Sequence, residues 1–393
     1  MRRATESSPD GDQPAAGSGR WSAVRLLVPV LFVGVAAAHA DPAPTPAEAG
    51  RWQVTAGGYL QPQLRLRQND PVAPFDENGF RVRRARLLGK AVRTLGRVEV
   101  TAAVEGELTP DFRLLDASVA AASCLRGDGG WRLEAGQFKV PISRQALLSD
   151  SRLGFVDKPE LASLAPERQL GAMGTVIVPY LPALRLAGGL WNGEGVNQGG
   201  NVDERFLWAG RAEARVIGRD VALAEAALDG AFAWVGASGG RERRDSGDTV
   251  ETRTTAGVDA AFAWRGLAGA VEYLQVRHAF STDAQPGYRA NGVVAQLGYL
   301  LPRIAAVPGR FELAVRWEEI DRNDTVPIIR RGDPDQSLRY YTGGAAWYVD
   351  GHDLKLQISG SHIVEIEDRD RTGADASYAN DTLLVQLTTR IER

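Results

Sequence analysis

Beyond Arg51 the hydrophobic and polar positions alternate. Between 96 and 106, Val98, Val100, Ala102 and Val104 fall on one face, and Arg97, Glu99, Thr101, Ala103 and Glu105 on the other. A period of two is that of a β-strand. Later segments repeat it: Phe311, Leu313, Val315 and Trp317 against Arg310, Glu312, Arg316 and Glu318; Leu354, Leu356 and Ile358 against Lys355, Gln357 and Ser359; Leu383, Val385, Leu387 and Ile391 against Thr382, Gln386, Thr388 and Arg390. The pattern predicts about sixteen strands, at 51–68, 79–94, 96–106, 112–122, 130–138, 168–180, 183–192, 204–217, 222–238, 252–264, 267–279, 289–301, 309–320, 337–349, 353–366 and 380–391.

A water-soluble β-sandwich would alternate in the same way, so the connections decide. One set is tight: Leu95, Leu181-Pro182, Arg265-Gly266 and Asp350-Gly351-His352. The other is long and polar: 69–78, 139–167, 239–251, 321–336 and 367–379. An even number of antiparallel strands with short turns at one rim and long loops at the other is the layout of a transmembrane β-barrel of the outer-membrane type, all-β in class. Rings such as Trp52, Phe80, Trp131, Phe138, Tyr180, Trp191, Trp264, Phe280, Tyr299, Trp317, Tyr340, Tyr341, Trp347 and Tyr348 sit near predicted strand ends, as interfacial aromatic girdles do.

The first forty residues point to export. Leu26 to Ala38 is a short apolar run behind Arg20 and Arg25, ending in Ala38-His39-Ala40. It is too short for a spanning helix, which takes about 20 apolar residues, and predicts a signal peptide at 1–40 cleaved after Ala40. Residues 41–50 then read as a flexible segment and 51–393 as the barrel. The charged region ahead of the apolar run is long, which suggests a start codon further downstream.

Charge is near balance, with 46 basic and 49 acidic side chains, so nothing favours nucleic acid as a partner. A lone cysteine, Cys124, excludes an intrachain disulfide framework and a cysteine-based zinc site.

Several motifs carry a family resemblance: FRVRRARLLGK at 80–90, DASV at 116–119, LEAGQFKVPIS at 133–143, Glu167-Arg168 followed by Gly171, and GLWNGEGVN at 189–197. In this order they resemble the phosphate-selective porin O/P family, over about 55–217 by motif and beyond that by strand rhythm. The resemblance implies an outer-membrane barrel, commonly trimeric, passing small hydrophilic solutes by diffusion, with anions such as phosphate as cargo, lipid and a homotrimer as partners, and no cofactor. The chain departs from the family's lysine-rich constrictions, its lysines being Lys90, Lys139, Lys158 and Lys355, and it ends Arg390-Ile391-Glu392-Arg393 where such barrels carry an aromatic.

The residues support a physical reading beside the resemblance. With Ala85, Leu87 and Gly89 toward lipid, Arg84, Arg86 and Lys90 form a column of positive charge in the lumen, and such columns set ion selectivity. Arg81 and Arg83 then need a bulge or a place above the membrane, because a charge facing lipid at the midplane costs about 2–4 kcal/mol. The competing reading pairs Arg84 and Arg86 with carboxylates across the strand, Glu99 and Glu105. The lumen face carries both signs elsewhere, as in Arg97, Arg132, Glu134, Arg211, Glu213, Glu312 and Arg316, which argues for a modest anion preference.

The longest connection, 139–167, is the candidate constriction. It predicts helical turns at 143–149 and 157–164, the second with Asp157 as its cap and Pro159 just inside. Folded inward, Lys139, Arg144, Arg152, Lys158 and Arg168 would meet a solute, opposed by Asp150, Asp157, Glu160 and Glu167. Two other functions stay open. A barrel enzyme would draw on His278, His352 or His362, although the chain has no HExxH, GxSxG or Walker loop. A closed structural or adhesive barrel would conduct nothing. Asp333 with Asp335 and Asp368 with Asp370 lack calcium-loop spacing and read as solvated turns.

Overall fold

In a computed structural model, the described residues are 50–68, 78–218, 223–228, 230–245, 249–281, 286–324, 337–366 and 381–392. The expected signal peptide, the segment 41–49 and the acidic pairs at 333–335 and 368–370 lie outside them. Sixteen strands run in order: β1 Gln53–Arg67, β2 Gly79–Leu95, β3 Val98–Glu107, β4 Arg113–Cys124, β5 Gly130–Lys139, β6 Arg168–Ile177, β7 Leu184–Trp191, β8 Leu207–Gly218, β9 Phe232–Asp245, β10 Val250–Trp264, β11 Leu267–Phe280, β12 Tyr288–Leu300, β13 Arg310–Asp321, β14 Ser337–Asp350, β15 Leu354–Glu365 and β16 Thr382–Glu392. Each pairs antiparallel with its sequence neighbours, and β1 pairs with β16 (Tyr59 opposite Arg390, Gln63 opposite Gln386), closing the sheet. Closure leaves no unpaired strand edge, which a chain in hydrocarbon cannot tolerate.

The alternation places an apolar band outward. Leu60, Leu87, Val104, Val119, Leu133, Val258, Leu297, Val315, Leu356 and Leu387 are all exposed, a continuous greasy surface suited to lipid tails. Trp52, Phe80, Tyr180, Trp264, Tyr299 and Tyr341 lie exposed among them as the girdle reading expects, but Trp191, Phe138 and Tyr348 do not, being 0 %, 6 % and 1 % exposed. These three point inward and pack inside the lumen.

The clearest difference from the sequence pattern lies in β9. The alternation places it at 222–238; the strand is Phe232–Asp245, and Ala224 and Ala226 ahead of it are buried. Two features mislead. Residues 223–228 mimic strand alternation without being strand, and Gly239-Gly240-Arg241-Glu242-Arg243-Arg244-Asp245 reads as a polar loop. That stretch stays in the sheet because Glu242 faces Arg253 and Arg244 faces Glu251 across β10, at the end of the barrel with the long loops, where both faces meet water.

Between β5 and β6 the chain 140–167 turns into the lumen. It holds one helical turn, α1 Arg144–Leu147, and two 3₁₀ turns, Asp150–Arg152 and Glu160–Leu164. Ser143 caps α1, its side chain accepting from Ala146 N. The expected Asp157 cap is not formed: Pro159 takes the cap position of the Glu160–Leu164 turn without a side-chain bond, and the Asp157 carboxylate is spent on the barrel wall.

Candidate functional site

The loop 140–167 has two unlike faces. One is apolar: Val140, Ile142, Leu161 and Ala165 pack with Phe138, Trp191, Leu207, Leu274 and Val294 on the wall from β5 to β12. Phe138 meets Trp191 edge-on at 5.8 Å, which fixes the root of the loop. The wall makes room through missing side chains. A Cβ on Gly240 would come 2.7 Å from Ile142 Cδ1, and one on Gly344 would come 3.1 Å from the Phe155 ring.

The other face is ionic and lies against β1 to β5. Opposite Gln61 and Pro62 the pairing slips, so that Gln61 faces Arg84 and Pro62 faces Val82. Pro62 has no N–H to contribute to the ladder, and Arg83 is the extra residue of a bulge. The slip lets four arginines of β2 reach polar partners. Arg81 donates to Gln63 (2.8 Å), Arg83 lies 3.5 Å from Asp157, Arg84 lies 3.4 Å from Asp150 and 3.5 Å from Asp157, and Arg86 reaches Glu105 (2.8 Å), Glu107 (2.7 Å) and Asp150 (2.8 Å).

Asp150 is the hub of this face. Besides Arg84 and Arg86 it has Lys158 at 3.9 Å, and Gln61 Nε2 donates to its backbone carbonyl at 3.2 Å. Burial by itself would raise the carboxyl; the charges of Arg84, Lys158 and Arg86 override it and hold Asp150 well below the usual carboxylate range. Lys139 and Lys158 are turned into the loop. Lys139 Nζ donates to the carbonyls of Leu147 (3.0 Å) and Leu148 (2.7 Å), and Lys158 Nζ to those of Ala146 (2.9 Å) and Leu148 (2.7 Å). These carbonyls lie at the end of α1, where no further turn can satisfy them.

The remaining predicted residues separate from this cluster. Arg168 forks onto Asp116 (2.7 and 3.2 Å) and lies 3.6 Å from Glu105. Arg132 pairs with Glu134 at 3.2 Å, and Glu134 also accepts from Ser118. Lys90 is exposed, opposite Thr55 and Ala103. Glu99 faces Thr94 and Ala122 near the short-turn rim and meets neither Arg84 nor Arg86. Arg152 is half-buried in the first 3₁₀ turn, and Arg144 is 6 % exposed beneath the loop. The cross-strand pairing reading therefore describes Arg86 with Glu105, while the carboxylate partners of Arg84 are supplied by the loop and Gln61 Oε1 of β1 accepts from it at 3.2 Å.

A second inward element escaped the sequence. In the connection between β8 and β9, Glu225 reaches the loop from the short-turn end: its N–H donates to the Arg152 carbonyl (3.0 Å), its carboxylate accepts from Gly154 N (2.7 Å) and from Gln296 Nε2, and its carbonyl accepts from His352 Nε2 (3.0 Å). Lys355, 0 % exposed, donates to the Leu153 carbonyl at 2.5 Å, and Gln357 donates to Leu153 and Gly154 (3.1 and 2.7 Å). Lys355 lay on the polar side of its predicted strand, but no local signal marks Glu225. Of the other histidines, His278 holds Glu251 at 2.6 Å and stacks on Tyr288, and His362 meets Asp381 at 2.9 Å on the exposed rim.

A closed sixteen-strand barrel with an infolded loop between β5 and β6 narrows the family to porins, and the profile of phosphate-selective porin O and P matches residues 67–387. The chain belongs to that family. It is a porin channel of the bacterial outer membrane. No curated protein matches the chain. Among solved structures the fold is similar to an anion-selective porin from Comamonas acidovorans (13 % identity, 87 % of this chain and 100 % of that one, TM-score 0.58). It is also similar to OprB of Pseudomonas putida (10 %, 88 % and 95 %, 0.55) and to a trimer form of OmpT of Vibrio cholerae (9 %, 86 % and 99 %, 0.55). At such identities the likeness is one of fold.

Proposed function

We propose that this porin is a passive, non-catalytic diffusion channel for small hydrophilic solutes with a preference for anions, phosphate among them. The observation that carries this reading is the gathering of Arg83, Arg84, Arg86, Lys139, Lys158 and Arg168 on one side of the constriction, where among the described residues Asp150, Asp157, Glu105, Glu107 and Asp116 are fewer. A cationic excess on a narrow, low-dielectric wall raises the local concentration of anions. Most of these cations already touch a carboxylate, so the preference is modest and the lumen as a whole stays polar.

The supporting lines are the family, whose description is phosphate-selective, and the similar porin described as anion-selective. Assembly as a homotrimer in outer-membrane lipid follows the family resemblance and the trimer form of one similar barrel. Export by cleavage after Ala40 completes the proposal. Single-channel recording of refolded protein under a potassium chloride gradient tests the function. An anion-selective reversal potential with current reduced by added phosphate is expected. Cation-selective steps would overturn the anion preference, and silence from a folded barrel would overturn diffusion itself.

A further inference from the structure

Arg144 is anomalous among the cations of the constriction. The side chain is 6 % exposed, yet it forms no ion pair or hydrogen bond with any described residue, and its Nη1 is buried without a partner. Lys139 and Lys158 cap carbonyls and Arg84, Arg86 and Arg168 hold carboxylates, whereas Arg144 presents a planar fork of free donors. A buried guanidinium in that state calls for an acceptor.

The surroundings provide the space for one. Arg144 lines two neighbouring cavities of about 30 and 80 Å³. The larger shares its wall with Arg185, Arg211, Trp234 and Leu223 and with the carboxylates Glu213 and Asp259, on the short-turn side of the loop. A single water needs only about 10–15 Å³ by the same measure, so the larger cavity admits a tetrahedral anion. The acids nearby are committed elsewhere. Asp259 takes Arg211 at 2.7 and 2.9 Å, Glu213 takes Arg211 at 2.8 Å and Arg185 at 3.6 Å, Glu272 accepts from Gln145 N at 2.9 Å, and Glu225 accepts from Gly154 N at 2.7 Å. Glu213 and Asp259 share the larger cavity with Arg144 and Glu225 shares the smaller, but each is held by the partners just named, and none bonds to the Arg144 side chain, whose Nη1 stays buried without a partner.

We propose that Arg144 is the principal contact of a station for a small oxyanion of the phosphate or sulfate class, on the short-turn side of the constriction and separate from the Asp150 hub. The inference rests on the channel reading above. A solute leaving the arginine row of β2 would meet Arg144 next, so that the two sides of the loop form successive anion sites. Such spacing lets each site bind without trapping.

The test uses refolded full-length barrels in planar bilayers, with inorganic phosphate added from the short-turn side as a blocker of the chloride current. Arg144→Met is expected to raise the half-blocking phosphate concentration about tenfold, the loss of one bidentate contact. Arg144→Lys, which keeps the charge without the fork, should fall between. Calorimetric titration of the wild type with phosphate in detergent should show saturable heat that Arg144→Lys weakens, which holds the test open if Arg144→Met does not fold. An unchanged half-block in both variants of a channel that remains anion-selective would overturn the station and leave the channel reading intact, as would the absence of saturable heat. A wild-type channel without anion preference would remove the channel reading and the station together.

Discussion

The two faces of the loop 140–167 are held by opposite physics. On the β5–β12 side Ile142, Leu161 and Val140 are 0–1 % exposed against an apolar wall, a contact that is non-directional and insensitive to the solute. On the β1–β5 side the seat is Asp150 among Arg84, Arg86 and Lys158, a contact whose partners are chemically interchangeable with an anionic solute. The difference teaches a division of labour. Apolar packing holds the loop inside the barrel, so that the ionic face can exchange partners without the constriction collapsing.

Breaking the ionic face should have the largest effect. Asp150→Asn leaves Arg84, Arg86 and Lys158 facing a neutral amide, and removing one partner of a buried ion pair costs about 3–5 kcal/mol. The loop seat should loosen, measured as faster hydrogen exchange at 148–152, while the reversal potential moves further toward anions. Arg86→Met strips Glu105, Glu107 and Asp150 of their shared cation and should move it toward cations. The opposite signs of the two shifts are the check, since a purely structural pair would shift both alike.

Attacking the apolar face is next. Leu161→Ala should cost the loop about 2–5 kcal/mol, seen as proteolytic cutting within 140–167, with larger and noisier conductance but little change in ion preference. A change of selectivity as large as that of Asp150→Asn would refute the division of labour.

Smaller effects are expected at the joint with the short-turn end. Glu225→Gln keeps shape but weakens the acceptor for Gly154 N, and hydrogen bonds to charged groups contribute about 1.5–3 kcal/mol. Conductance should rise modestly with selectivity unchanged. Acid should act at the same place. His352 is pushed from 6.5 down to about 3, first by burial and then by the charge of Lys355, whose Nζ lies 3.4 Å from His352 Nδ1; Arg152 and Arg390 add to the repulsion and the Glu225 carbonyl opposes it. A base with a depressed folded value binds protons more readily when released. The joint is therefore at full strength above about pH 6.5 and weakens as pH falls toward 3. Conductance recorded stepwise over that range should rise in the wild type and stay flat in His352→Asn.

The barrel was legible because alternation is a local property. A one-residue slip would turn every side chain to the wrong solvent, so each strand declares its faces on its own, and fifteen of the sixteen predicted spans agree with the observed strands to within a few residues. The ninth failed where the sheet leaves the greasy band and alternation has no solvent contrast to record. The infolding of 139–167 and the need for relief at Arg81 and Arg83 could also be argued from the chain, the first from length and the second from the cost of charge in lipid.

Partner choice could not be argued in that way. Arg84 meets Asp150 and Asp157, far along the sequence, because the loop crosses the lumen and lands there. Glu225 becomes a structural joint because two inward segments from opposite ends of the barrel meet at Gly154. The amino-acid sequence by itself determined the strand number, the faces of the wall and the supply of cations, all of which follow from solvent contrast residue by residue. The tertiary structure alone decided which cations are neutralised and that Arg144, among the described residues, keeps a buried Nη1 without a partner, since that depends on where a closed cylinder brings distant side chains together.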